Sequence, residues 1–134
     1  MIYLMFDGRC KEALDRYKKA FNIDIKEFFQ YKDTNNPGVT VKDFDPEWVL
    51  RASFVLQGMP IMALDSPSRS STGDNTLLHI FPKDVAEAKR MWEIMSVDAQ
   101  KVFMKPQKTI AMDFHGSLKD KFGVNWMFTV QAVY

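Results

Sequence analysis

The sequence has a single cysteine, no long apolar run and no segment typical of a targeting signal. The lone Cys10 among 134 residues excludes an internal disulfide and is typical of a reducing compartment. No run of about 18 apolar residues occurs, so we expect no membrane-spanning helix. The first residues lack the basic segment and the apolar stretch of a secretion signal. These absences predict a cytoplasmic protein without a membrane partner.

An excess of charge of either sign is also missing. Eighteen Lys and Arg residues balance seventeen Asp and Glu residues, which gives a net charge of +1 and no basic cluster. Proteins that bind nucleic acid neutralise phosphates with clustered Lys and Arg, so we predict no nucleic-acid partner. No glycine-rich loop follows a strand and opens a helix, and no nucleophile motif lies near either histidine. We therefore predict no cofactor, and the catalytic residues stay unknown.

The chain does contain the apolar content of one folded domain. Hydrophobic residues make up 46% and charged residues 26% of the sequence. The first half predicts a strand over 2–6, a helix over 9–21 that Asn22 ends, and a strand over 23–31. Residues 32–45 have the pattern of a loop. A hairpin follows, with strands over 47–56 and 59–64 joined at Gln57-Gly58.

After a polar segment the pattern starts again. Residues 66–75 predict a linker, 76–81 a strand, and Asp84 the N-cap of a helix that ends near Met95. Two strands over 99–105 and 109–114 precede the last one, which runs from Gly123 to Val130. Gly123 is expected to take a positive φ at the turn before that strand. His115 is expected in an exposed turn beside Gly116.

The two halves can be superimposed with a shift of 75 residues. Phe6 then aligns with Phe81, Tyr17 with Trp92, and Leu4 with His79. Each half is a strand, a helix and three strands, which predicts an α+β fold of two βαβββ modules, 1–65 and 76–134, in one domain. We expect curved, mostly antiparallel sheets that form a cup, with the helices on the outer face. A cup of this kind is suited to a small ligand.

Several segments carry a resemblance to a known family. Tyr3–Gly8, Met62–Asp65 and Asp120–Met127 resemble the PhnB-like branch of the vicinal oxygen chelate superfamily, which includes glyoxalases and bleomycin-resistance proteins. Asp120–Met127 is the most specific of the three. The resemblance covers nearly the whole chain and implies the two-module glyoxalase-like fold and a homodimer. Some relatives carry a methyltransferase label, which no motif in this sequence supports.

The resemblance also implies where a metal would be held, since enzymes of the superfamily bind a divalent ion through His, Gln or Glu side chains of particular strands. The strands 2–6 and 59–64 contain none of these residues. His79 lies in the strand 76–81, and the last strand offers only Asn125 and Thr129. One imidazole does not make a metal site, so we predict that no metal is bound.

Four side chains are our candidates for contact with a ligand: His79, Trp126, Asp65 and Tyr31. The function that we predict is metal-free binding of a small, largely apolar molecule in the cup. The alternative is a metal-dependent lyase, isomerase or dioxygenase that uses His79 and further donors, for example from a partner chain. A third interpretation is a chain that dimerises and binds nothing. For His79 itself, the alternative to a ligand contact is a neutral histidine bonded to a backbone carbonyl or a side chain.

Overall fold

A computed structural model describes residues 1–33, 45–66 and 73–132 of the chain. The chain divides into two compact units, Met1–Ser71 and Thr72–Tyr134. The loop predicted over 32–45 and the linker predicted over 66–75 lie largely outside the described residues. Neither helix in the described part of the chain has the length and apolar character needed to cross a membrane.

The first unit is one four-stranded sheet with a helix on one face. Its elements are β1 (Ile2–Phe6), α1 (Cys10–Phe21), β2 (Glu27–Gln30), a 3₁₀ turn at Tyr31–Asp33, β3 (Val49–Leu56) and β4 (Met59–Asp65). The strand order is β1-β4-β3-β2. β1 and β4 are parallel, whereas β4, β3 and β2 pair antiparallel.

The second unit repeats this arrangement. It contains β5 (Leu78–Ile80), α2 (Val85–Met95), β6 (Lys101–Gln107), β7 (Met112–Lys119) and β8 (Asn125–Gln131), in the order β5-β8-β7-β6. β5 and β8 are parallel and the other pairs are antiparallel. The predicted α+β fold of two βαβββ modules is thereby confirmed. The cup between the two sheets stays a prediction.

Local sequence signals explain both helices. Apolar residues spaced three and four apart along α1, from Cys10 to Tyr17, are all buried. The helix ends because Asn22 adopts the left-handed conformation (φ 53°), from which its N–H donates to the carbonyl of Lys18. Asp84 caps α2, since its carboxylate accepts the N–H of Glu87 at 2.8 Å.

The extent of β7 corrects the sequence-based prediction. We expected a strand over 109–114 and a turn at His115, but β7 runs from Met112 to Lys119 and contains His115. Gly116 continues the strand rather than breaking it. The residue here is glycine because the ring of Trp92 lies so close that an added Cβ would be 3.0 Å from its Cζ3. Glycine therefore serves here for the close approach of a helix to a sheet.

The alignment of the first strands of the two modules also needs correction. Phe6 is buried, whereas the aligned Phe81 is 49% exposed. Three residues, 7–9, connect β1 to α1, but four, 81–84, connect β5 to α2. Because side chains alternate along a strand, one extra residue moves the aligned positions to opposite faces. Leu78 and Ile80 face α2, and His79 points away from it.

A buried carboxylate fixes the start of β8. Asp120 is fully buried, and its Oδ1 accepts the N–H groups of Phe122 and Val124 at 2.9 and 3.0 Å. Its Oδ2 accepts the indole N–H of Trp126 at 2.9 Å. The turn closes through Gly123, which has the predicted positive φ (94°). The carboxylate thus ties the turn to the inward-facing ring of the next strand.

We predict that Asp120→Asn lowers the free energy of unfolding by about 3 kcal/mol, because an amide nitrogen facing the indole N–H would leave two buried donors opposed. Urea unfolding would measure the loss. Asp84→Asn is the matched control, since asparagine is also a good N-cap and the change should cost less than about 1 kcal/mol. Equal stability of Asp120→Asn and the wild type would contradict the proposed role of Asp120.

Candidate functional site

Polar side chains meet on the face of the second sheet that points away from α2, which we call the open face of the second unit. Trp126 and Phe128 of β8 face α2, so alternation along the strand places Met127 and Thr129 on the open face. Thr129 pairs directly with His115 of β7, and Met127 pairs with His79 of β5. Three strands therefore bring two imidazoles to the sides of one hydroxyl.

The hydroxyl of Thr129 makes hydrogen bonds with both imidazoles. Its Oγ1 lies 2.7 Å from Nε2 of His79 and 3.0 Å from Nδ1 of His115. Thr129 is only 4% exposed, while both histidines are partly exposed. In the portion of the chain that the structure describes, no other partner of Thr129 Oγ1 is found. We call these three residues the histidine–threonine cluster.

A cavity of about 460 Å³ opens onto the cluster. Its volume falls in the range of small-molecule sites, which is about 300–1,000 Å³. Its lining residues are His79, Phe81, Ala111, Met112, His115, Thr129, Gln131 and Ala132. The ring of Phe81 lies 4.2 Å from that of His79, centroid to centroid. The cavity therefore combines an apolar wall with two imidazoles, and its described lining contains no Lys, Arg, Asp or Glu.

The surroundings favour a neutral His79. Partial burial is the main cause that lowers the pKa of His79 from its usual 6.5, and repulsion from His115 acts in the same direction. The imidazole of His79 is therefore uncharged at neutral pH, and its ring then has one N–H donor and one acceptor nitrogen.

The donor set does not fit the divalent metal that the superfamily implies. In the described ranges of the chain, no three His, Cys, Asp or Glu side chains lie close enough to hold one ion. The open face offers two imidazoles. In each, the nitrogen next to Thr129, which we call the inner nitrogen (Nε2 of His79 and Nδ1 of His115), faces its neutral hydroxyl. A first-row divalent ion in a protein usually has at least three side-chain ligands of the N, O or S type.

Asp65 and Tyr31 lie in the first unit, within its core. The carboxylate of Asp65 is 1% exposed and accepts the N–H groups of Gly8, Cys10 and Val49 at 2.8–3.0 Å. Tyr31 is buried, and its hydroxyl donates to the carbonyl of Asp65 at 3.4 Å. Burial, and then the charge of Asp65, raise the pKa of Tyr31. A direct ligand contact of either residue stays a prediction.

Of the predicted site residues, His79 is the one that lies at the cavity of the second unit. Trp126 is fully buried, faces α2 and donates to Asp120, so its ring positions β8. His115 and Thr129 complete the cluster, but neither was among the residues predicted for the site. The longer β7 could have been predicted from the sequence, because Phe114, Gly116 and Leu118 alternate with polar residues.

A second cavity lies on the other side of the same sheet. It has a volume of about 590 Å³ and lies beside α2, with Trp92, Pro106 and Phe114 in its lining. It is the larger of the two, but its described lining contains no imidazole and includes the charged residues Lys89, Lys108, Glu93 and Asp113. The smaller cavity is the better candidate, because only there do hydrogen-bonding groups converge on one point in an uncharged wall.

We predict that the imidazole of His79 titrates below pH 6.5 and that His115→Gln moves its pKa closer to 6.5, because the repulsion is then removed. Proton NMR of the ring signals over pH 4–9 would measure both values. The unfolded chain binds this proton more readily, so the stability due to His79 is complete above pH 6.5 and is lost as the pH falls through the folded pKa. A midpoint at or above 6.5 would contradict this description.

Comparison with known proteins shows relatives over the whole length of the fold. A family model described as 3-demethylubiquinone-9 3-methyltransferase matches residues 1–129. Protein YjdN of Escherichia coli K12 is 25% identical over 136 residues, which cover 96% of this chain and 92% of YjdN.

Two solved structures have the same architecture. The putative 3-demethylubiquinone-9 3-methyltransferase, PhnB protein, of Bacillus cereus is 26% identical at a TM-score of 0.79, with 97% of each chain covered. Protein PA1353 of Pseudomonas aeruginosa is 23% identical at a TM-score of 0.80, with 96% of this chain and 93% of that chain covered. Glyoxalase/bleomycin resistance proteins of the vicinal oxygen chelate superfamily share the fold. The chain therefore belongs to the PhnB-like family whose model is described as 3-demethylubiquinone-9 3-methyltransferase.

Proposed function

We propose that this protein binds a small, largely apolar molecule with one polar end in the cavity on the open face of the second unit. The observation that carries the proposal is the convergence of His79 and His115 on the hydroxyl of Thr129 at the cavity wall. Two imidazoles that hold a buried hydroxyl between them are ordered before any ligand arrives. Such preorganisation reduces the entropy cost of binding.

The two parts of the cavity suggest how a ligand lies in it. Phe81 and Met112 supply apolar contact area, and the ring of Phe81 is about half exposed, so a ligand can cover it. The outer nitrogens are Nδ1 of His79 and Nε2 of His115. Neither has a protein partner among the residues described, so either one can form a hydrogen bond with the polar end of a ligand. Binding without a metal is part of the proposal, because the described donors do not form a metal-binding set.

We also propose a homodimer in the cytoplasm, as the sequence analysis expects. Support comes from large apolar side chains that are exposed on the first sheet, on the face away from α1. Tyr3 is 54%, Phe29 50% and Val55 55% exposed. Large apolar side chains exposed on one face of a sheet are typical of association surfaces. Light scattering should give about twice the chain mass of 15.6 kDa, and the mass of one chain would contradict the dimer.

The binding proposal predicts that neutral aromatic fragments with one polar group shift the NMR signals of His79, His115 and Thr129. Their dissociation constants should be on the order of 1 mM, as is usual for such small ligands. His79→Ala should weaken binding at least about tenfold, which is about 1.4 kcal/mol. Lys89→Ala, at the rim of the other cavity, is the matched control and should leave binding unchanged.

Two results would contradict this proposal. One is that fragments shift signals around Trp92 and leave the histidine–threonine cluster unaffected. The other is purified protein that carries a stoichiometric divalent metal, lost in His79→Ala, which would favour the metal-dependent enzyme instead.

A further inference from the structure

The buried hydroxyl of Thr129 links the protonation of the two imidazoles beside it. Thr129 is 4% exposed, and a buried hydroxyl group needs an acceptor for its proton. Within the described ranges, the inner nitrogens of His79 and His115 are the only acceptors found near Oγ1, at 2.7 and 3.0 Å. The hydroxyl therefore donates to one inner nitrogen and can accept a hydrogen bond from the other.

One positive charge on the cluster is compatible with both hydrogen bonds. A protonated imidazole donates from both of its nitrogens, so the charged ring donates to Oγ1 through its inner nitrogen. The hydroxyl then donates to the inner nitrogen of the neutral ring. A hydrogen bond from a charged donor is stronger than one between neutral groups, so this arrangement is favourable. Either His79 or His115 can be the charged ring.

A second positive charge is not compatible with these hydrogen bonds. Both inner nitrogens would then be donors, and the buried hydroxyl proton would be left without an acceptor. The two charged rings would also face each other across one oxygen atom. Repulsion from His115 already contributes, after partial burial, to the lowered pKa of His79. We therefore expect the cluster to take up one proton, and a second one only at a much lower pH.

The two histidines are the titratable groups of this cavity, since its described lining has no Lys, Arg, Asp or Glu. Elsewhere on the open face, Lys119 and Lys101 pair with each other near the start of β8, beside the carboxylate of Asp74. Lys105 is exposed in the irregular part of β6. A change of pH between about 5 and 8 therefore changes the charge of the cavity wall through the histidine–threonine cluster.

We infer that the polar end of the ligand is a carboxylate, and that the carboxylate binds in the cavity together with one proton, which the cluster takes up. The inference rests on the proposed binding function and names the class of ligand and the condition for its binding in the same cavity. One positive charge in a partly buried wall attracts an anion, and no carboxylate of the described lining competes for it.

The single charge of the cluster also distinguishes between anions. A carboxylate carries one negative charge, which one proton on the cluster balances. A dianion such as a phosphate monoester would bring a second negative charge into the cavity without a partner, which is unfavourable away from water. The apolar side chains of Phe81 and Met112 in the lining can contact the ring or the chain of an organic acid.

The affinity for carboxylates should depend on pH in one direction. At high pH both imidazoles are neutral and do not attract an anion. As the pH falls, a proton becomes available to the cluster and binding becomes tighter. Because one proton is taken up with each carboxylate, binding should strengthen by at most about tenfold for each pH unit. The uptake of two protons would allow up to about a hundredfold for each unit.

The test compares two probes of nearly the same shape, benzoate and benzamide, over pH 5.5–8.0. Benzoate is an anion and benzamide is neutral throughout this range. NMR titrations of the full chain at each pH would follow the ring signals of His79 and His115. We expect the dissociation constant of benzoate to fall at least about tenfold from pH 8.0 to 5.5, whereas that of benzamide should change less than about threefold.

Replacing both imidazoles tests whether they carry the charge. The double variant His79→Gln/His115→Gln keeps groups that can form hydrogen bonds with Thr129 but that take up no proton in this pH range. Its affinity for benzoate should vary less than about threefold from pH 8.0 to 5.5. Lys89→Ala, in the lining of the other cavity, is the matched control and should keep the wild-type pH dependence. The comparison of benzoate with benzamide on the wild type is sufficient if the double variant does not fold.

The outcomes separate this inference from the proposed function. A benzoate affinity that does not rise at lower pH, or that rises equally in the double variant, overturns the inference. So does a rise much steeper than tenfold for each pH unit, because it shows that two protons are taken up. The binding function remains in each case if benzamide shifts the signals of the cluster. If neither these probes nor the other aromatic fragments shift those signals at any pH, both the inference and the proposed function fail.

Discussion

The hydrogen bond from the indole of Trp126 to the buried carboxylate of Asp120 determines which way β8 faces. The same carboxylate closes the turn that precedes the strand, so the position of the turn and the direction of the ring are set together. Once Trp126 points towards α2, alternation places Thr129 on the opposite face, between His79 and His115. A shift of one residue in the register of β8 would turn Thr129 towards α2, and its hydroxyl would no longer lie between the two imidazoles.

The two modules use buried carboxylates at different points of the same topology. In the first, Asp65 at the end of β4 accepts N–H groups from the start of α1 and from β3, and so joins three elements. In the second, Asp120 holds one turn and one ring. A buried charge is tolerated only where several donors compensate for its lost hydration, and each of these carboxylates has at least three N–H donors in the described part of the chain. The two modules therefore share one topology but are stabilised by buried carboxylates at different positions.

The apolar periodicity of the sequence was sufficient to predict most of the elements and the fold class, but not the extent of β7. The helix faces, the Gln57-Gly58 hairpin and the turn at Gly123 all follow from local signals that the tertiary structure does not override. β7 was cut short in the prediction because a glycine between polar residues usually marks a turn. Here Gly116 is required by the ring of Trp92, which is a contact between distant parts of the chain.

The site could be predicted only in part, for a related reason. His79 was singled out because it is the one His, Gln or Glu in the four predicted strands where the superfamily places its metal ligands. Its partners belong to other strands, and their distance from it depends on register. One additional residue between β5 and α2 puts His79 on the open face, and no residue pattern within β5 reveals that. Thr129 could not be predicted, because one threonine in a strand is not a motif. It belongs to the site only through its hydrogen bonds with the two imidazoles.

The central claim is that one proton of Thr129 links the two histidines. Nitrogen-15 chemical shifts of the imidazole rings, measured on histidine-labelled protein above pH 7.5, report which ring nitrogens are protonated. Because the hydroxyl can donate to one ring nitrogen and accept from the other, the account predicts that one of Nε2 of His79 and Nδ1 of His115 is protonated and the other is not, with the opposite pattern at the second nitrogen of each ring. Two protonated inner nitrogens, or two unprotonated ones, would contradict it.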